Sequence, residues 1–391
     1  MPTVPPAKPE RRQVRAFVSS TEFDLLLACC VHASGDEPIR EILEGPLDWK
    51  RLLQLAGHHA VIPQLYHCLS ASNVIPQEAL PLLQQHYEAN ARQTLWLTRE
   101  LLRILSHLQR NGIETLSYKG PVLAEILYGN VALRQFSDLD LLIHEADMAK
   151  AKAALLELGY KPALQLTPWQ NRAYLESGYE YAFDSSLGRN LLEMQWRILP
   201  RFYSINFDVD AFFSRSMVLS LGGHSLRTLC REDLMAVLCV HAAKHAWVQL
   251  SWLCDIAELA RSVDWVVVQD YARRLGIERI VAVTFILAAR LLGTRMPQPV
   301  QERIRNDRAA EGLADRLLPI ISQGAEYDTE SMAYFRLIMD VRERSRDRLR
   351  FVGRLAFTPS VGEWSSIRLP GPLFPLYRVV RLMRLAGRLI S

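Results

Sequence analysis

The sequence predicts an α+β fold, in which a small mixed β-sheet core with helices is flanked by N-terminal and C-terminal helical regions. Three observations support this prediction. Apolar residues recur at three- and four-residue intervals from Glu22 to about Gln109, which is the helical period. Short strand and helix patterns then alternate from Ile113 to Arg197. Helical periodicity returns after Phe207.

Local signals predict each element of the central segment. The turn Lys119-Gly120-Pro121 separates a strand from a helix, because proline is favoured at the start of a helix. Gly159 ends a second helix, and the turn residues at 185–190 predict a hairpin. The predicted strands are 113–118, 138–143, 179–184 and 191–197, and the predicted helices are 122–128 and 145–158.

These patterns divide the chain into five predicted segments. They are a flexible proline-rich tail (1–20), an N-terminal helical region (21–110), the sheet core (111–215), a helical domain that completes a cleft with the core (216–350), and a C-terminal loop and basic helix (351–391). A second hairpin, 217–221 with 225–229, opens the helical domain. The helices predicted after it are 231–247, 252–262, 265–275, 277–292, 298–320 and 328–350.

The charge distribution restricts the classes of partner. The chain has 46 basic and 42 acidic residues, a net charge of +4. Four arginines at the C-terminus, Arg378, Arg381, Arg384 and Arg388, account for that excess, so the body is close to neutral. This argues against an extended nucleic-acid surface. The basic helix is predicted to pack on the body with solvated arginines, or to lie at a membrane or partner surface.

Composition and cysteine usage favour a cytoplasmic protein. The longest apolar stretch, Ile280–Ala289, is too short to cross a membrane, which takes roughly 20 residues. The amino terminus has four prolines among its first nine residues and no hydrophobic segment after its basic residues, so no signal peptide is predicted. The six cysteines form no CxxC pair, and we expect them to be buried thiols in a reducing compartment.

One group of carboxylates points to chemistry. Asp138 and Asp140 open a predicted strand and share one of its faces, because strand residues alternate with period two. Two adjacent carboxylates repel each other unless a cation lies between them. Mg²⁺ binds through one or two carboxylates together with substrate phosphates. Glu193, on a later strand, could add a third carboxylate and complete a two-metal site.

The same region resembles a known family. The stretch SYKGPVLAEILYGNVALRQFSDLDLLI (117–143), followed by LLELGY, is similar to the uncharacterised bacterial nucleotidyltransferases of the DNA polymerase β-like superfamily. LLEMQWRILPRFY, REDLMAVLCVHAAKHAWVQLSWLCDIAEL and the C-terminal TPSVGEW…LPGPLFPLYRVVR extend the resemblance over roughly 22–390. It implies that the sheet core, 111–215, is a nucleotidyltransferase core.

The resemblance implies roles for particular residues. Asp138, Asp140 and Glu193 would be catalytic and would hold two Mg²⁺ ions, or Mn²⁺ in their place. The helix after the glycine turn would carry the triphosphate end of a nucleotide. Here Lys119-Gly120 replaces the usual Gly-Ser, so backbone amides and the Lys119 ammonium take the place of a serine hydroxyl. Gln195 stands where relatives often have histidine, and it cannot act as an acid or base.

Five further residues are candidate nucleotide-binding residues. Arg134 leads into the acidic strand and could contact phosphate, or be a solvated loop arginine. Ser137 is expected to order the turn before Asp138, with ligand contact as the alternative. His241, Lys244 and His245 share one helical face, which either touches nucleotide or acceptor or is buried between domains. Because no third ligand is evident, the histidine pair does not favour zinc.

The predicted function is Mg²⁺-dependent transfer of a nucleoside monophosphate from an NTP to an unidentified acceptor, with release of pyrophosphate. A small metabolite, a peptide or a protein could be the acceptor. The first alternative is a non-catalytic regulatory protein that binds a nucleotide or a partner and retains the fold. The second is a metal-dependent phosphatase, which is disfavoured because only three acids and no histidine ligands are predicted at the Asp-x-Asp pair.

Overall fold

A five-stranded mixed sheet forms the centre of the chain. The computed structural model describes residues 19–31, 36–71, 79–185, 188–329, 331–367 and 369–390. In spatial order, the strands are β1 (Leu116–Ser117), β2 (Leu139–Leu142), β5 (Gly188–Gln195), β4 (Glu180–Ser185) and β3 (Lys161–Pro162). Only β2 and β5 are parallel; the other neighbouring strands are antiparallel. The predicted α+β class with a small mixed sheet is confirmed.

The described part of the chain before the sheet contains five helices, as the helical periodicity predicts. They are α1 (Thr21–Cys30), α2 (Asp36–Leu43), α3 (Trp49–His58), α4 (Ile62–Ala71) and α5 (Leu80–Arg110). Helix α5 is 31 residues long, and its second half buries Leu97, Leu101, Ile104 and Leu108 against the sheet core. The N-terminal helices are therefore joined to the sheet by apolar packing.

Three helices belong to the sheet core. They are α6 (Gly120–Tyr128), α7 (Met148–Glu157) and α8 (Pro168–Ser177). Helix α6 begins three residues after β1, and a 3-10 turn at Val131–Leu133 leads from it toward β2. This path returns the chain to the sheet at Asp138, beside the start of α6.

In the described residues after the sheet there are a second hairpin and eleven helices. The strands are β6 (Met217–Leu221) and β7 (His224–Thr228). The helices are α9 (Val209–Arg215), α10 (Arg231–Lys244), α11 (Leu250–Leu259), α12 (Trp265–Leu275), α13 (Glu278–Leu292), α14 (Gln298–Arg305), α15 (Arg308–Gln323), α16 (Met332–Asp340), α17 (Ser345–Phe357), α18 (Val361–Ser366) and α19 (Tyr377–Ile390). Short 3-10 turns lie at Arg201–Tyr203 and Gly371–Leu376.

Two apolar cores hold these elements together. One lies under the sheet and combines α5, α6, α7 and the strands. The larger core joins α1, α3 and α4 to α10, α11 and α13, which come some 200 residues later in the chain. Burial of this apolar surface stabilises the contact between the two helical regions and fixes the walls of the space between them and the sheet.

Several predicted elements differ from the structure. The strand predicted at 113–118 is limited to β1, and the helix predicted at 145–158 begins with a 3-10 turn at Glu145–Asp147. Helix α8 was not predicted, although Thr167 and Gln170 form a capping box and Pro168 starts the helix. The segment predicted as a loop after 351 contains α18, which the capping box of Ser360 and Glu363 begins.

The helices predicted at 298–320 and 328–350 are each divided into two. Asp307 caps the start of α15 and so separates it from α14. A break at 341–344 separates α16 from α17. The predicted tail up to residue 18 and the middle of the predicted hairpin turn, residues 186–187, lie outside the described residues.

The prediction of a cytoplasmic protein depends on the state of the cysteines and on the apolar character of the helices. All six cysteines lie in the described part of the chain, and none forms a disulfide bond. Cys29, Cys239 and Cys254 are buried as expected, whereas the other three are only partly buried. Within the described residues, no helix combines the length and the apolar character that crossing a membrane requires.

Candidate active site

The carboxylates predicted from sequence meet on two neighbouring strands. Asp140 on β2 is paired directly with Glu193 on β5, and Asp138 lies just before β2. Directly paired residues of adjacent strands point to the same face of a sheet. The two-residue spacing places Asp138 on that face as well. This face therefore combines the three acids that the sequence selected.

Lys119 compensates the charge of one of these acids. Its Nζ lies 3.2 Å from Asp140 Oδ1, and both side chains are largely shielded from solvent. Burial lowers the pKa of Lys119, but the negative charges of Asp140, Asp138 and Glu193 outweigh burial and raise it. Lys119 is therefore a buried permanent cation at the start of α6.

Gln195 connects Asp140, the partner of Lys119, to the carboxylates of Glu193 and Glu180. Its Nε2 donates to Asp140 Oδ1 at 2.9 Å, and it lies 3.3 Å from Glu193 Oε2 and 3.4 Å from Glu180 Oε2. The Tyr118 hydroxyl donates to Gln195 Oε1, which fixes the orientation of the amide. Burial and the charges of Asp140 and Glu193 raise the pKa of Tyr118, so it remains a donor.

Glu193 has the most strongly perturbed carboxyl group of the site. Burial raises its pKa to about 9, together with the charges of Asp140 and Glu180 and a hydrogen bond with Glu180. The pKa of Asp138 is also raised, first by burial and then by Asp140. Over the described residues, no ion pair involves Asp138, Glu180 or Glu193. Without a further cation, this face is thus richer in carboxylates than in compensating charge.

Gly120 allows the backbone to turn closely past Asp138. Its φ is +54°, in the left-handed region that favours glycine. A Cβ at this position would lie 3.4 Å from the Asp138 carbonyl oxygen. The turn therefore holds the first amides of α6 beside the acidic strand, where unpaired N–H groups favour an anion.

A cavity of about 670 Å³ opens in front of this face. Eight of the ten predicted site residues line it: Lys119, Gly120, Arg134, Ser137, Asp138, Asp140, His241 and His245. Glu193 and Lys244 do not. Cavities of this size accommodate ligands such as nucleotides.

Arg134 is neither solvated nor unpaired. It is buried, and its Nε lies 2.9 Å from Asp255 Oδ2. The other Asp255 oxygen accepts a hydrogen bond from Tyr128 at 2.9 Å. The solvated loop arginine considered from the sequence is therefore wrong. Arg134 borders the cavity as half of a complete ion pair that links the sheet core to α11.

His241 on α10 and His245, the residue directly after that helix, line the cavity as an aromatic group. The rings of His241 and His245 have their centroids 4.8 Å apart, and both lie within 5.4 Å of Trp252. Burial lowers the pKa of His245 to about 3 and that of His241 well below its usual range. This wall is therefore neutral, and Lys244 instead donates to the Tyr179 hydroxyl at 2.8 Å.

Carboxylate oxygens are the donors that Mg²⁺ prefers, and the two raised pKa values show that this face would accept positive charge. The chemistry of Asp138, Asp140 and Glu193 therefore fits a divalent cation. Over the part of the chain that the structure describes, however, no three His, Cys, Asp or Glu side chains already converge as ligands. Lys119 and Gln195 instead both donate hydrogen bonds to Oδ1 of Asp140.

Sequence reasoning missed or misassigned several contributors. Glu180 adds a fourth carboxylate, but its neighbour Gln195 is known only once β4 and β5 are in register. Arg197, four residues after Glu193, pairs with Glu145 at 2.7 Å and not with Glu193. Helix α5 contributes a polar cavity wall, through His86, Asn90 and Gln93. The helical period indicates such a face but not what it faces.

Comparison with known proteins identifies a family for most of the chain. A family model described as "uncharacterised nucleotidyltransferase" matches residues 45–293, which include the sheet, the cavity and helices α3 to α13. No curated protein and no solved structure among those compared matches the chain. Since the match covers more than half of the chain, the protein belongs to the family of uncharacterised nucleotidyltransferases.

Proposed function

We propose that the protein transfers a nucleoside monophosphate from an NTP to an acceptor in a Mg²⁺-dependent reaction, with Mn²⁺ as a substitute. The observation that carries the proposal is the excess of carboxylates on one face of the sheet, Asp138, Asp140 and Glu193, beside the Lys119 ammonium; Asp138, Asp140 and Lys119 line the cavity. Membership of a nucleotidyltransferase family supports it. We further assign the core to the DNA polymerase β-like superfamily and the protein to the cytoplasm.

In the proposed reaction, an acceptor oxygen forms a bond to the α-phosphorus. The bond from that phosphorus to the oxygen that bridges it to the β-phosphate breaks, and pyrophosphate leaves with the electron pair. Glu193 takes the proton of the acceptor hydroxyl in its carboxylate form, which a cation beside Asp140 would favour against the burial that raises its pKa. Lys119 and the Gly120 amide stabilise the charge that develops on the phosphates.

Asp138, Asp140 and Glu193 are the residues that would hold the metal. A bound divalent ion would neutralise phosphate charge and lower the pKa of the acceptor hydroxyl. For Asp140 to become a ligand, the Lys119 ammonium would exchange its carboxylate partner for a phosphate oxygen, so that charge stays balanced.

The rest of the cavity indicates a neutral acceptor or base. Its far wall carries His86, Asn90 and Gln93, together with the neutral pair His241 and His245. Such side chains recognise hydroxyl and amide groups rather than charges. We therefore infer a hydroxyl-bearing small metabolite, peptide or protein as the acceptor.

A second function is favoured by one specific contact. Because Lys119 and Gln195 both engage Asp140 Oδ1, that carboxylate is satisfied without a metal ion. A nucleotide-binding regulatory protein that retains the fold without catalysis would have this arrangement. It would bind nucleotide with the same affinity in chelator and would release no pyrophosphate.

Calorimetry and turnover separate the two functions. Each of the four NTPs is titrated into the protein with Mg²⁺, with Mn²⁺ and with chelator, and pyrophosphate release is measured with candidate acceptors. We expect metal-dependent binding that is lost in Asp138→Asn/Asp140→Asn and kept in Asp210→Asn, whose carboxylate is exposed outside the site. Unchanged NTP affinity in chelator, without turnover, would establish the regulatory alternative.

A further inference from the structure

A second cleft lies between α8 and the C-terminal helices. It has a volume of about 430 Å³, and four arginines line it: Arg172, Arg201, Arg354 and Arg378. Aromatic side chains complete its walls, among them Trp169 and Trp364. We call it the arginine cleft. None of these residues belongs to the candidate active site.

The four arginines carry uncompensated charge. Among the described residues, none of the four takes part in an ion pair, although Glu176 also lines the cleft. Arg354 donates to the Arg201 carbonyl oxygen at 2.9 Å. Burial and the charges of Arg201 and Arg350 lower the pKa of Arg354, which reflects like charges held close together. Such a cluster favours an anionic ligand.

Exposed apolar side chains occur in the cleft and along the C-terminal helices that border it. Of the seventeen large apolar residues that are exposed in the described chain, nine lie between 349 and 383, and Trp169 lines the cleft itself. On α19, Val379, Leu382 and Met383 have the spacing of one helical stripe, and all three are exposed. Apolar side chains that belong to a core are covered by neighbouring residues, whereas these three are exposed. Among the described residues, α19 therefore presents an apolar face that no other element covers.

The charge of the chain is segregated toward the same region. Residues 342–391 contain eleven arginines, no lysine and three acidic residues, a net charge of +8, whereas residues 1–341 carry −4. Two of those three acids, Asp347 and Glu363, are buried and paired with arginines. The exposed charge of α17 to α19 is therefore positive.

We propose that α17, α19 and the arginine cleft form a surface that docks on anionic phospholipid bilayers, with lipid headgroup phosphates bound by the cleft arginines. Arginines beside an exposed apolar stripe are the combination that holds a helix in the plane of a charged membrane interface. An acidic protein could form ion pairs with the arginines, but its charged side chains would not pack against the aliphatic side chains exposed along α17 and α19. This surface is independent of the nucleotidyltransfer proposed above.

Vesicle co-sedimentation of the full chain tests this surface. We expect binding to vesicles with equal amounts of phosphatidylglycerol and phosphatidylcholine, weakening as salt increases. Phosphatidylcholine vesicles should bind about 10-fold or more weakly, because they lack the headgroup charge that attracts arginines. Equal binding to both would overturn the proposal.

Two variants with matched controls assign the binding to this surface. Arg172→Gln/Arg378→Gln should weaken vesicle binding about 10-fold or more, since each surface arginine adds to the attraction. Val379→Ser/Met383→Ser should weaken vesicle binding by a similar factor, because it removes apolar area that would insert into the bilayer. The controls, Arg92→Gln/Arg316→Gln and Val266→Ser/Val267→Ser, alter side chains that are equally exposed elsewhere. All four variants change exposed positions, and their melting temperatures report folding.

Three other results would overturn the proposal. The first is that the surface variants bind vesicles as the controls do. The second is a dimer in light scattering that Val379→Ser/Met383→Ser converts to a monomer, which would mean that a second copy covers this face. The third is that the protein binds polyglutamate more tightly than phosphatidylglycerol vesicles, with a dependence on Arg172 and Arg378 but not on Val379 and Met383, which would identify an acidic protein as the partner.

Discussion

Two buried ion pairs border the same cavity and differ in how completely their charges are satisfied. Arg134 and Asp255 lie 2.9 Å apart, and Tyr128 occupies the second carboxylate oxygen of Asp255. Lys119 and Asp140 lie 3.2 Å apart, with further carboxylates beside them. The first pair is complete within the protein, whereas the second leaves negative charge that a ligand must compensate.

This difference indicates which side of the cavity performs chemistry. A pair that satisfies its own hydrogen bonds can be retained for packing and orientation alone. Clustered acids with raised pKa values are a cost to folding, and such costs are concentrated at functional sites. We therefore expect changes on the sheet side to affect activity and changes at the Arg134–Asp255 pair to affect stability.

The largest effect is expected for Asp140→Asn. Transfer activity should fall about 10³-fold or more, because the substitution removes the charge closest to Lys119 and a proposed metal ligand. The free energy of unfolding should change little, since Asp138 and Glu193 still act on Lys119. Pyrophosphate release and urea unfolding measure the two quantities. A large loss of stability with normal turnover would make Asp140 a structural residue.

Asp255→Asn should have the opposite profile. It leaves the buried Arg134 without its counter-charge, and breaking such a pair costs about 3–5 kcal/mol of stability. Combination with Arg134→Met should recover most of that loss, because no charge then remains buried. Urea unfolding of the single and double variants checks this. An unchanged midpoint in Asp255→Asn would mean that the pair does not hold the sheet core to α11.

Glu193→Gln distinguishes a base from a structural acid. NTP affinity should be retained, and turnover should fall about 10²-fold, the scale of lost general-base and metal activation. A carboxyl whose pKa is raised to about 9 favours the folded state only in its protonated form, so its contribution to stability is lost as pH rises above 4.5. The variant should therefore be more stable than the parent at pH 8. Normal turnover with reduced stability would remove Glu193 from the site.

The sequence predicts what depends on neighbours along the chain. Asp138 and Asp140 share a face because a strand alternates, and Gly120 permits the turn before α6 because of its backbone freedom. The α+β class follows from periodicity in the same way. Helix α8 also begins with a local sequence signal, the capping box of Thr167 and Gln170, so its start could be predicted from neighbouring residues.

What depends on distant contacts could not be predicted. For Arg134 the sequence leaves phosphate contact and a solvated loop position open, because its partner, Asp255, lies 121 residues later and reaches it only when α11 packs on the core. Glu180 joins the site through the register of β4 with β5, and a shift of one residue would turn it to the other face. Local patterns specify faces, and tertiary packing decides what each face meets.

The smallest effect on stability is expected for His59, a buried neutral side chain directly after α3. Burial lowers its pKa to about 4, and its Nδ1 accepts a hydrogen bond from the Leu250 backbone N–H. A histidine whose pKa is lowered on folding binds its proton in the unfolded state first, so stability is lost as pH falls below 6.5. Between pH 7 and pH 5, this group should cost about 2 kcal/mol.

His59→Gln should therefore flatten the decrease in stability between pH 7 and pH 5, whatever it costs at neutral pH. Urea unfolding at both pH values gives the difference, and His67→Gln, at an exposed position, is the matched control. Activity per folded molecule should stay the same, because His59 does not line the cavity. If His59→Gln and the parent lost the same stability on acidification, the acid sensitivity would come from other groups, with the carboxylates of the sheet side the first to test.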